Sequence, residues 1–271
     1  MSRIDTNLRN QVALVTGGSQ GIGAATGVTL AEAGASVAIT YNQSESKAMD
    51  VLKEIEQRGS RGIALPLDLR DEGSIRSMAS QAKDHFGRID IFVNNAAVGS
   101  ASVAHYTNHK SEDRAMVEIN TLGALLCVEA VLPVMVEQNY GKIINISSVG
   151  GGISVFPKFK RSDGMSKAAV AFLSKQIVTD YPHHRIDAFT ICPGAVDTRM
   201  FRESTLDHLS AQERDALVTS LPMGRLIEPQ EIADLILFLC SPQAVICRGA
   251  VIDASLGLGV RPGLISEKKS T

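Results

Sequence analysis

The chain has 271 residues, 44% hydrophobic and 21% charged, which suits one large α/β domain with a substantial buried core. Its formal net charge of −2 argues against a strongly basic or acidic surface, so neither nucleic acid nor an anionic membrane is expected as a partner. No bilayer-spanning apolar segment or signal-peptide core is expected, and four widely spaced cysteines predict a cytoplasmic protein with reduced thiols and no metal site.

Short apolar runs alternate with longer helical patterns along the chain. The runs are rich in valine and isoleucine, as strands are when helices cover both faces of a sheet. Seven strands are predicted: Val12–Gly17, Ser36–Tyr41, Gly62–Leu67, Ile89–Asn95, Lys142–Ser148, Arg185–Ile191 and Ala250–Asp253. Helices are predicted over Glu45–Arg58, Glu72–Phe86, Glu112–Gln138 and Glu228–Cys240. The alternation predicts a single α/β domain over residues 1–271, with a doubly wound, mostly parallel sheet of seven strands.

A long segment, 194–221, interrupts this alternation after a predicted strand end. Its charged, helix-compatible sequence predicts a lid over a ligand crevice at the carboxyl edge of the sheet. A surface excursion that only pads the fold is the alternative. The last residues, 261–271, are interpreted as a flexible tail.

A glycine-rich turn, TGGSQGIG (Thr16–Gly23), follows the first predicted strand and opens a helix. Glycines allow the backbone to turn tightly and to approach a pyrophosphate, whose charge then meets the helix N-terminus. A purely structural turn is the alternative. The position at the first strand–helix junction favours a dinucleotide site.

Further motifs follow in a fixed order: LD at Leu67–Asp68, NNAA at Asn94–Ala97, Asn120, ISS at Ile146–Ser148, SKAAV at Ser166–Val170 and PG at Pro193–Gly194. Together they resemble the short-chain dehydrogenase/reductase family, over nearly the whole chain to about Val260 and closest to its 3-oxoacyl-ACP-reductase-like subgroup. The resemblance implies a Rossmann fold, a nicotinamide cofactor and a homotetramer. The tetramer would form through the Glu112–Gln138 and Ser166–Asp180 helices and the last strand.

The resemblance also assigns residues to the cofactor. The glycine turn would hold the phosphates, Asp68 the adenine, Asn94 and Ala96 the adenosine ribose side, and Lys167 the nicotinamide ribose. The segment after the sixth strand would meet the nicotinamide end. The residues so implied are Gly17, Ser19, Gly21, Ile22, Gly23, Asp68, Asn94, Ala96, Lys167, Pro193, Gly194, Val196 and Thr198.

The choice between NAD and NADP depends on the end of the second strand. That strand ends next to Asn42 without an acid to bind the ribose 2′-hydroxyl, so NAD is not positively selected. The basic positions typical of NADP enzymes hold Gln20 and Asn42. Hydroxyl and amide groups at Ser19, Thr40, Asn42 and Ser44 could bind a 2′-phosphate. We predict NADP in preference to NAD.

The resemblance implies a hydride transfer coupled to a proton transfer. A tyrosine would carry the proton, a lysine four residues later would lower the pKa of the tyrosine, a serine would bind the substrate oxygen, and an asparagine would order a water relay. Asn120, Ser148 and Lys167 occupy three of these positions. Asp163 occupies the position of the tyrosine, and a spacing of four places it on the same helix face as Lys167.

The role of Asp163 is therefore the central question, since no tyrosine occurs between residues 140 and 181. A nearby ammonium lowers the pKa of a carboxyl group by about one to three units, whereas burial raises it, and sequence does not rank these effects. Asp163 could also be a helix N-cap without chemistry. Three functions stay open: an atypical reductase that takes its proton from water, the substrate or Asp163; a non-redox isomerase or dehydratase with Asp163 as base; and a nucleotide-binding scaffold.

The loop that precedes Asp163 is basic and longer than the family pattern. Ser148 could therefore be displaced, with Ser147 or Ser154 acting for it. The segment that follows the fourth strand contains His105, Tyr106 and His109. One of them could replace the missing tyrosine as the catalytic acid, or all three could be ordinary loop residues. We predict an atypical reductase acting on a small or carrier-borne carbonyl or C=N substrate.

Overall fold

The computed structural model describes residues 4–103, 109–157 and 159–260. Within these residues, seven strands form one sheet in the order β3-β2-β1-β4-β5-β6-β7, and every neighbouring pair is parallel. The strands are β1 (Val12–Val15), β2 (Ser36–Tyr41), β3 (Gly62–Pro66), β4 (Ile91–Asn94), β5 (Gly141–Ile146), β6 (Ile186–Pro193) and β7 (Val251–Ala254). The predicted doubly wound α/β fold is confirmed. The predicted tail, 261–271, lies outside the described residues.

Helices fill the intervals between the strands. They are α1 (Gly21–Glu32), α2 (Glu45–Gln57), α3 (Glu72–Phe86), α4 (Ser100–Val103), α5 (His109–Val117), α6 (Ala124–Glu137), α7 (Val149–Gly152), α8 (Arg161–Asp180), α9 (Arg199–Phe201), α10 (Ala211–Ser220) and α11 (Pro229–Cys240). A π-helical turn, Glu118–Gly123, joins α5 to α6. The helix predicted over Glu112–Gln138 is therefore a longer segment with a π-helical turn inside it.

The core lies on both faces of the sheet because successive side chains of a strand point in opposite directions. On β1, Val15 belongs to one buried cluster together with Ile236 of α11. Leu14 belongs to the other cluster, together with Met78 of α3 and Val131 of α6. The strand order reverses between β1 and β4, and ligands of open α/β sheets bind in the crevice outside the carboxyl ends at such a reversal.

The expectation that no apolar segment is long enough to span a bilayer needs correction. The helical segment His109–Glu137 is, by length and composition alone, apolar enough to cross a membrane. Half of its most apolar window is buried inside the protein, however, and α6 packs on the sheet through Cys127, Val128 and Val131. Burial in the core accounts for its apolar composition.

The interrupting segment, 194–221, is helical as its sequence predicts. It contains α9, a π-helical turn (Arg202–Leu206) and α10, whose N-terminus carries a capping box formed by Ser210 and Glu213. Its side chain Met200 lies beside the loop after β4, where a Cβ at position 99 would be 3.0 Å from Met200 Cγ. The segment thus crosses the carboxyl edge of the sheet, and its role as a lid stays a prediction.

Candidate active site

The glycine-rich turn between β1 and α1 is closed tightly. Gly17 and Gly21 have φ angles of +68° and +56°, which favour glycine. A Cβ atom at position 23 would lie 2.2 Å from the carbonyl oxygen of Gly17, so a larger residue there would force the turn open. A tight turn of this kind at the N-terminus of a helix suits a pyrophosphate. Ser19 and Ile22 are partly exposed on the same turn.

Neighbouring strands hold this turn through their polar side chains. The hydroxyl of Thr40 accepts a hydrogen bond from the Gly17 N–H at 3.0 Å, and the Asn95 amide donates to the Thr16 carbonyl at 2.8 Å. Thr40 is buried, so it supports the turn and does not reach a 2′-phosphate, contrary to expectation. Asn95, which the sequence analysis left without a role, is the second support.

Asn94 is also placed differently from its expected role. Its side chain is buried and donates to the Ala124 carbonyl at 2.9 Å and to Asn145 Oδ1 at 3.0 Å. It therefore points into the protein, and its backbone alone is near the crevice. The Ala96 N–H donates to Thr16 Oγ1 at 3.0 Å, which fixes the loop after β4 against the glycine turn.

The carboxyl end of β3 is followed by a paired acid, Asp68. Asp68 accepts three hydrogen bonds from Arg70, at 3.0 Å from the backbone N–H, 3.0 Å from Nε and 2.8 Å from Nη2. These bonds lower the pKa of Asp68 below its ordinary value, despite partial burial. Asp68 thus lies at the carboxyl end of β3 as an ionised group, and its contact with adenine stays a prediction.

A basic side chain lies beside the N-cap residue of α1. Lys47, in the first turn of α2, donates from Nζ to Gln20 Oε1 at 3.4 Å, and Gln20 is the N-cap of α1. The exposed Asn42 follows β2. The sequence analysis missed Lys47 because it looked for basic residues only in the glycine turn and at the end of β2. A basic residue in the first turn of the helix after β2 is the signal that could have found it.

The helix that carries Asp163 begins earlier than the N-cap interpretation requires. Lys160 is the N-cap of α8, with extended backbone angles, and Arg161 is the first helical residue. Asp163 lies inside the first turn, so the interpretation of Asp163 as N-cap is wrong. Its position four residues before Lys167 places both side chains on one face of α8.

The environment of Asp163 favours its protonated form. Its Oδ1 atom is buried and has no hydrogen-bond partner among the described residues. Burial raises the pKa of Asp163, and this effect exceeds the opposing effects of Lys167 and Lys160. Burial likewise lowers the pKa of Lys167, against the influence of Asp163 and Cys192. The structure thus ranks the two effects that the sequence left unranked.

Of the three candidate serines, Ser147 is the one whose hydroxyl proton is already donated. The Ser147 hydroxyl is buried and donates to the Lys167 carbonyl at 2.7 Å, which ties β5 to α8. Ser154 forms a backbone bridge with Gly150 in the following loop. Ser148 is partly exposed at the carboxyl end of β5, and its hydroxyl accepts a 3.2 Å hydrogen bond from the Gly150 N–H, which leaves its own proton to donate.

Asn120 holds the loop after β4 in position. It lies in the π-helical turn, 2% exposed, and its side chain binds both backbone groups of Val98 at 2.8 and 2.9 Å. The second amide hydrogen faces Met116 Sδ at 3.0 Å. Asn120 therefore ties the helix to the loop after β4, and its amide N–H groups are already used, which leaves them unavailable to a water relay.

The segment after β6 meets the glycine turn. A Cβ at position 21 would lie 3.2 Å from Thr198 Cγ2, and Thr198 also caps α9 by accepting from the Phe201 N–H. Pro193 ends β6. The next residue, Gly194, packs so closely against Ser255 that a Cβ at position 194 would lie 3.0 Å from the Ser255 Cα. Val196 is buried, so its backbone is what it offers a ligand.

The histidine alternatives gain little support. His105 and Tyr106 lie outside the described residues. The His109 side chain is 97% exposed and lies 3.4 Å from Glu112, as a solvated surface residue would. Across residues 4–103, 109–157 and 159–260, no group of three or more histidine, cysteine or acidic side chains could hold a metal ion.

Known proteins match this chain along most of its length. The family model described as Enoyl-(Acyl carrier protein) reductase matches residues 17–259. A 3-oxoacyl-[acyl-carrier-protein] reductase of Synechocystis sp. is 32% identical over 255 residues, which cover 93% of this chain and 98% of that protein.

Solved structures agree with the sequence matches. The crystal structure of a short-chain type dehydrogenase/reductase from Mycobacterium marinum has a TM-score of 0.84 at 30% identity, covering 93% of this chain and 97% of that one. The RhlG/NADP active-site complex of Pseudomonas aeruginosa has a TM-score of 0.83 at 31% identity, covering 95% of this chain and 100% of that one.

Proposed function

This chain belongs to the short-chain dehydrogenase/reductase family of oxidoreductases, and we propose that it is a cytoplasmic reductase in which Asp163 takes the place of the proton-carrying tyrosine. The observation that carries the proposal is the buried Asp163 carboxyl, one turn before Lys167, with its pKa raised by burial. A carboxyl group in this state holds its proton closer to neutral pH than an exposed aspartate does.

The glycine turn fits a dinucleotide. Its tight closure, which a Cβ at position 23 would prevent, supports binding of the pyrophosphate at the N-terminus of α1. Lys167 would bind the ribose hydroxyls, and the segment from Pro193 to Thr198 would line the nicotinamide end. A nicotinamide cofactor, when bound, would supply or accept a hydride.

NADP is the preferred cofactor in this proposal. Lys47 and Gln20 lie together at the N-terminus of α1, where an ammonium could pair with a 2′-phosphate. The neighbouring Asn42 is exposed and uncharged, so no carboxylate there would repel the phosphate. The NADP complex of the RhlG protein supports the same choice.

The protein side of the reaction is a proton transfer. Asp163 would donate its proton to the oxygen or nitrogen of the substrate, and the carboxylate formed would face the Lys167 ammonium. Ser148, whose hydroxyl proton is available, would bind the same substrate atom. Small or carrier-borne carbonyl compounds and C=N compounds are the proposed substrates, and iminium or conjugated substrates need the least help from an acid.

The same carboxyl favours a second candidate. Once ionised, an aspartate with a raised pKa is a stronger base than an exposed one, which suits a non-redox isomerase or dehydratase. A nucleotide-binding scaffold is the third possibility, and it would bind the cofactor without turnover. Turnover without any change in the absorbance of reduced nicotinamide would mark the second candidate.

The test begins with binding. NADPH is titrated into the protein while nicotinamide fluorescence is followed, and saturable binding tighter than that of NADH is expected. Carbonyl and imine substrates are then screened by the loss of reduced-nicotinamide absorbance. Absence of NADPH binding would overturn the oxidoreductase proposal, and binding without turnover on any substrate class would favour the scaffold.

The assembly is a further part of the proposal. Large apolar side chains are exposed on neighbouring helical surfaces: Met165 at 67% and Phe172 at 59% on α8, and Leu122 at 48% in the π-helical turn. Met165 and Phe172 are seven residues apart and share one face. These surfaces support a homotetramer formed through the α5–α6 segment and α8.

A further inference from the structure

A set of polar contacts joins α5 to the N-terminus of α8, close to Asp163. The Lys160 ammonium lies 2.7 Å from Glu112 Oε2 and 3.9 Å from Asp113 Oδ1. The Ser162 hydroxyl donates to Asp113 Oδ1 at 2.5 Å. We call these four residues the α5–α8 clasp. Neither the hydride reaction nor the cofactor accounts for it.

The clasp is partly shielded from solvent. The side chains of Lys160 and Glu112 are 26% and 15% exposed, and the pair is closer than most surface ion pairs need to be. The pKa of Glu112 is lowered, chiefly by its hydrogen bond from Lys160, so the carboxylate stays ionised near neutral pH and keeps its partner.

Lys160 matters for Asp163 because it is the second cation near that carboxyl group. It precedes Asp163 by three residues, and it lowers the pKa of Asp163 less than Lys167 does. An ammonium free to move towards the buried Oδ1, which has no partner among the described residues, would give that oxygen a cation to bind. The clasp prevents this approach by giving Lys160 a nearer anion.

We propose that Glu112 is a positioning residue, which acts on Asp163 by holding the ammonium group of Lys160. This inference rests on the proposed function, because an Asp163 that donates a proton to the substrate must hold that proton until the substrate is bound. While Lys160 is paired with Glu112 of α5, burial has the largest effect on the pKa of Asp163. Without Glu112, Lys160 would turn to Asp163 and favour its ionised form.

The other charged groups on the elements around Asp163 lie on α8 and α5, and one of them is Arg161, the first residue of α8. Lys167 on α8 is the cation that lowers the pKa of Asp163 most, and Cys192 of β6 in turn raises the pKa of Lys167. On α5, Asp113 and the exposed His109 lie beside Glu112. The turn α7, which packs on the start of α8, has no charged side chain. A change at position 112 therefore removes one charge, which is the partner of Lys160 at 2.7 Å and of the exposed His109 at 3.4 Å.

The test is a carboxyl ¹³C NMR titration of the ligand-free protein, with the Asp163 signal assigned by its loss in Asp163→Asn. Glu112→Gln should lower the titration midpoint of Asp163 by about half a pH unit, the effect of one cation brought nearer to a partly shielded acid. Lys160→Met should raise the midpoint. In the double variant, Glu112→Gln should have little further effect, since the ammonium through which it acts is gone.

Two results would overturn the inference: an unchanged midpoint in Glu112→Gln, or an equal shift with and without Lys160. Asp113→Asn is the matched control, because it removes a neighbouring charge but leaves the 2.7 Å pair intact. Circular dichroism establishes that each variant is folded, and Lys160→Met still tests the role of the ammonium if Glu112→Gln does not fold. The midpoint is measured without substrate or cofactor, so a failed reductase assay leaves this result unaffected.

Discussion

Asp163 and Lys167 face one side of α8, one turn apart, and burial shifts the pKa of each towards its neutral form, upward for the acid and downward for the amine. This arrangement differs from an exposed ion pair, in which each partner favours the charge of the other. An acid that burial makes costly to ionise keeps its proton to a higher pH than an exposed aspartate does. That property is the basis of the first two predictions.

Asp163→Tyr should increase the reduction of simple ketones. A phenol at this position would lie on the same helix face as Lys167, with Ser148 still free to donate, and a positioned general acid contributes about 10²–10⁴-fold to rate. The measurement is the NADPH-dependent rate on a panel of ketones. Asp163→Phe is the matched control, with the ring but without the hydroxyl, and equal rates for the two variants would show that the remaining machinery does not work with a phenol.

Asp163→Asn should stabilise the protein at neutral and alkaline pH. A raised folded-state pKa means that the stability associated with this group is complete below the unfolded pKa, near 3.8, and is lost as pH rises through the folded pKa. The amide removes that loss, so the stability advantage of the variant should appear above about pH 4 and grow until the pH passes the folded-state pKa of Asp163.

Thermal unfolding across pH measures this difference, at roughly 2–4 °C per kcal/mol for a chain of this size. Asp50→Asn is the control, because the Asp50 side chain is 71% exposed and its removal should change the pH profile little. A variant less stable than the parent at pH 8, or a difference that does not depend on pH, would contradict the inferred direction of the pKa shift.

Lys47→Ala should weaken NADPH more than NADH. Its ammonium lies beside the N-cap of α1, and loss of one exposed charge-assisted contact is worth about 1.4 kcal/mol, or tenfold in dissociation constant. Fluorescence titration with both cofactors gives the ratio. Lys53→Ala, on the same helix and 68% exposed, is the control for general charge loss. A similar loss for both cofactors would remove Lys47 from the phosphate site.

Much of the fold could be predicted from the sequence because apolar runs and glycine positions reflect local physics. The strand Ser36–Tyr41 is observed with the predicted bounds, and the turn Thr16–Gly23 lies where the motif indicated. Side-chain direction was less predictable. Asn94 and Thr40 are polar residues at a strand end, as ligand contacts are, yet both are buried and bind the protein itself.

In the candidate site, too, the residues could be predicted from the sequence but their surroundings could not. Its residues were found from spacing, but the balance between burial and charge at Asp163 depends on what packs against the first turn of α8. Gly151 of the preceding turn, α7, lies so close that a Cβ at its position would be 2.2 Å from the Gly164 carbonyl oxygen. Contacts such as Lys160 with Glu112, 48 residues apart, have no signature in the local sequence.

Gly23→Ala should damage both folding and cofactor binding. Its Cβ would overlap the Gly17 carbonyl oxygen at 2.2 Å and the Asn95 amide at 2.7 Å, and relief requires the turn to open. Overpacking of this kind costs about 1–3 kcal/mol. Gly59→Ala is a control with a φ of +80° but nothing within 4 Å, so it adds backbone strain without overlap and should leave NADPH binding unchanged. Equal NADPH affinity in the Gly23 variant would argue against the turn as the phosphate site.

Phe172→Glu should dissociate the proposed tetramer. The side chain is 59% exposed on α8, on the same face as Met165, and a carboxylate there would have to be desolvated when two such faces meet. We expect a lower molar mass by light scattering, with the dissociation constant raised at least about tenfold, or 1.4 kcal/mol. Met49→Glu is the matched control, since Met49 is 42% exposed on α2, at the other side of the sheet order. A fall in mass for Met49→Glu alone would assign the interface to α2, and an unchanged mass for Phe172→Glu would exclude this face of α8 from the assembly.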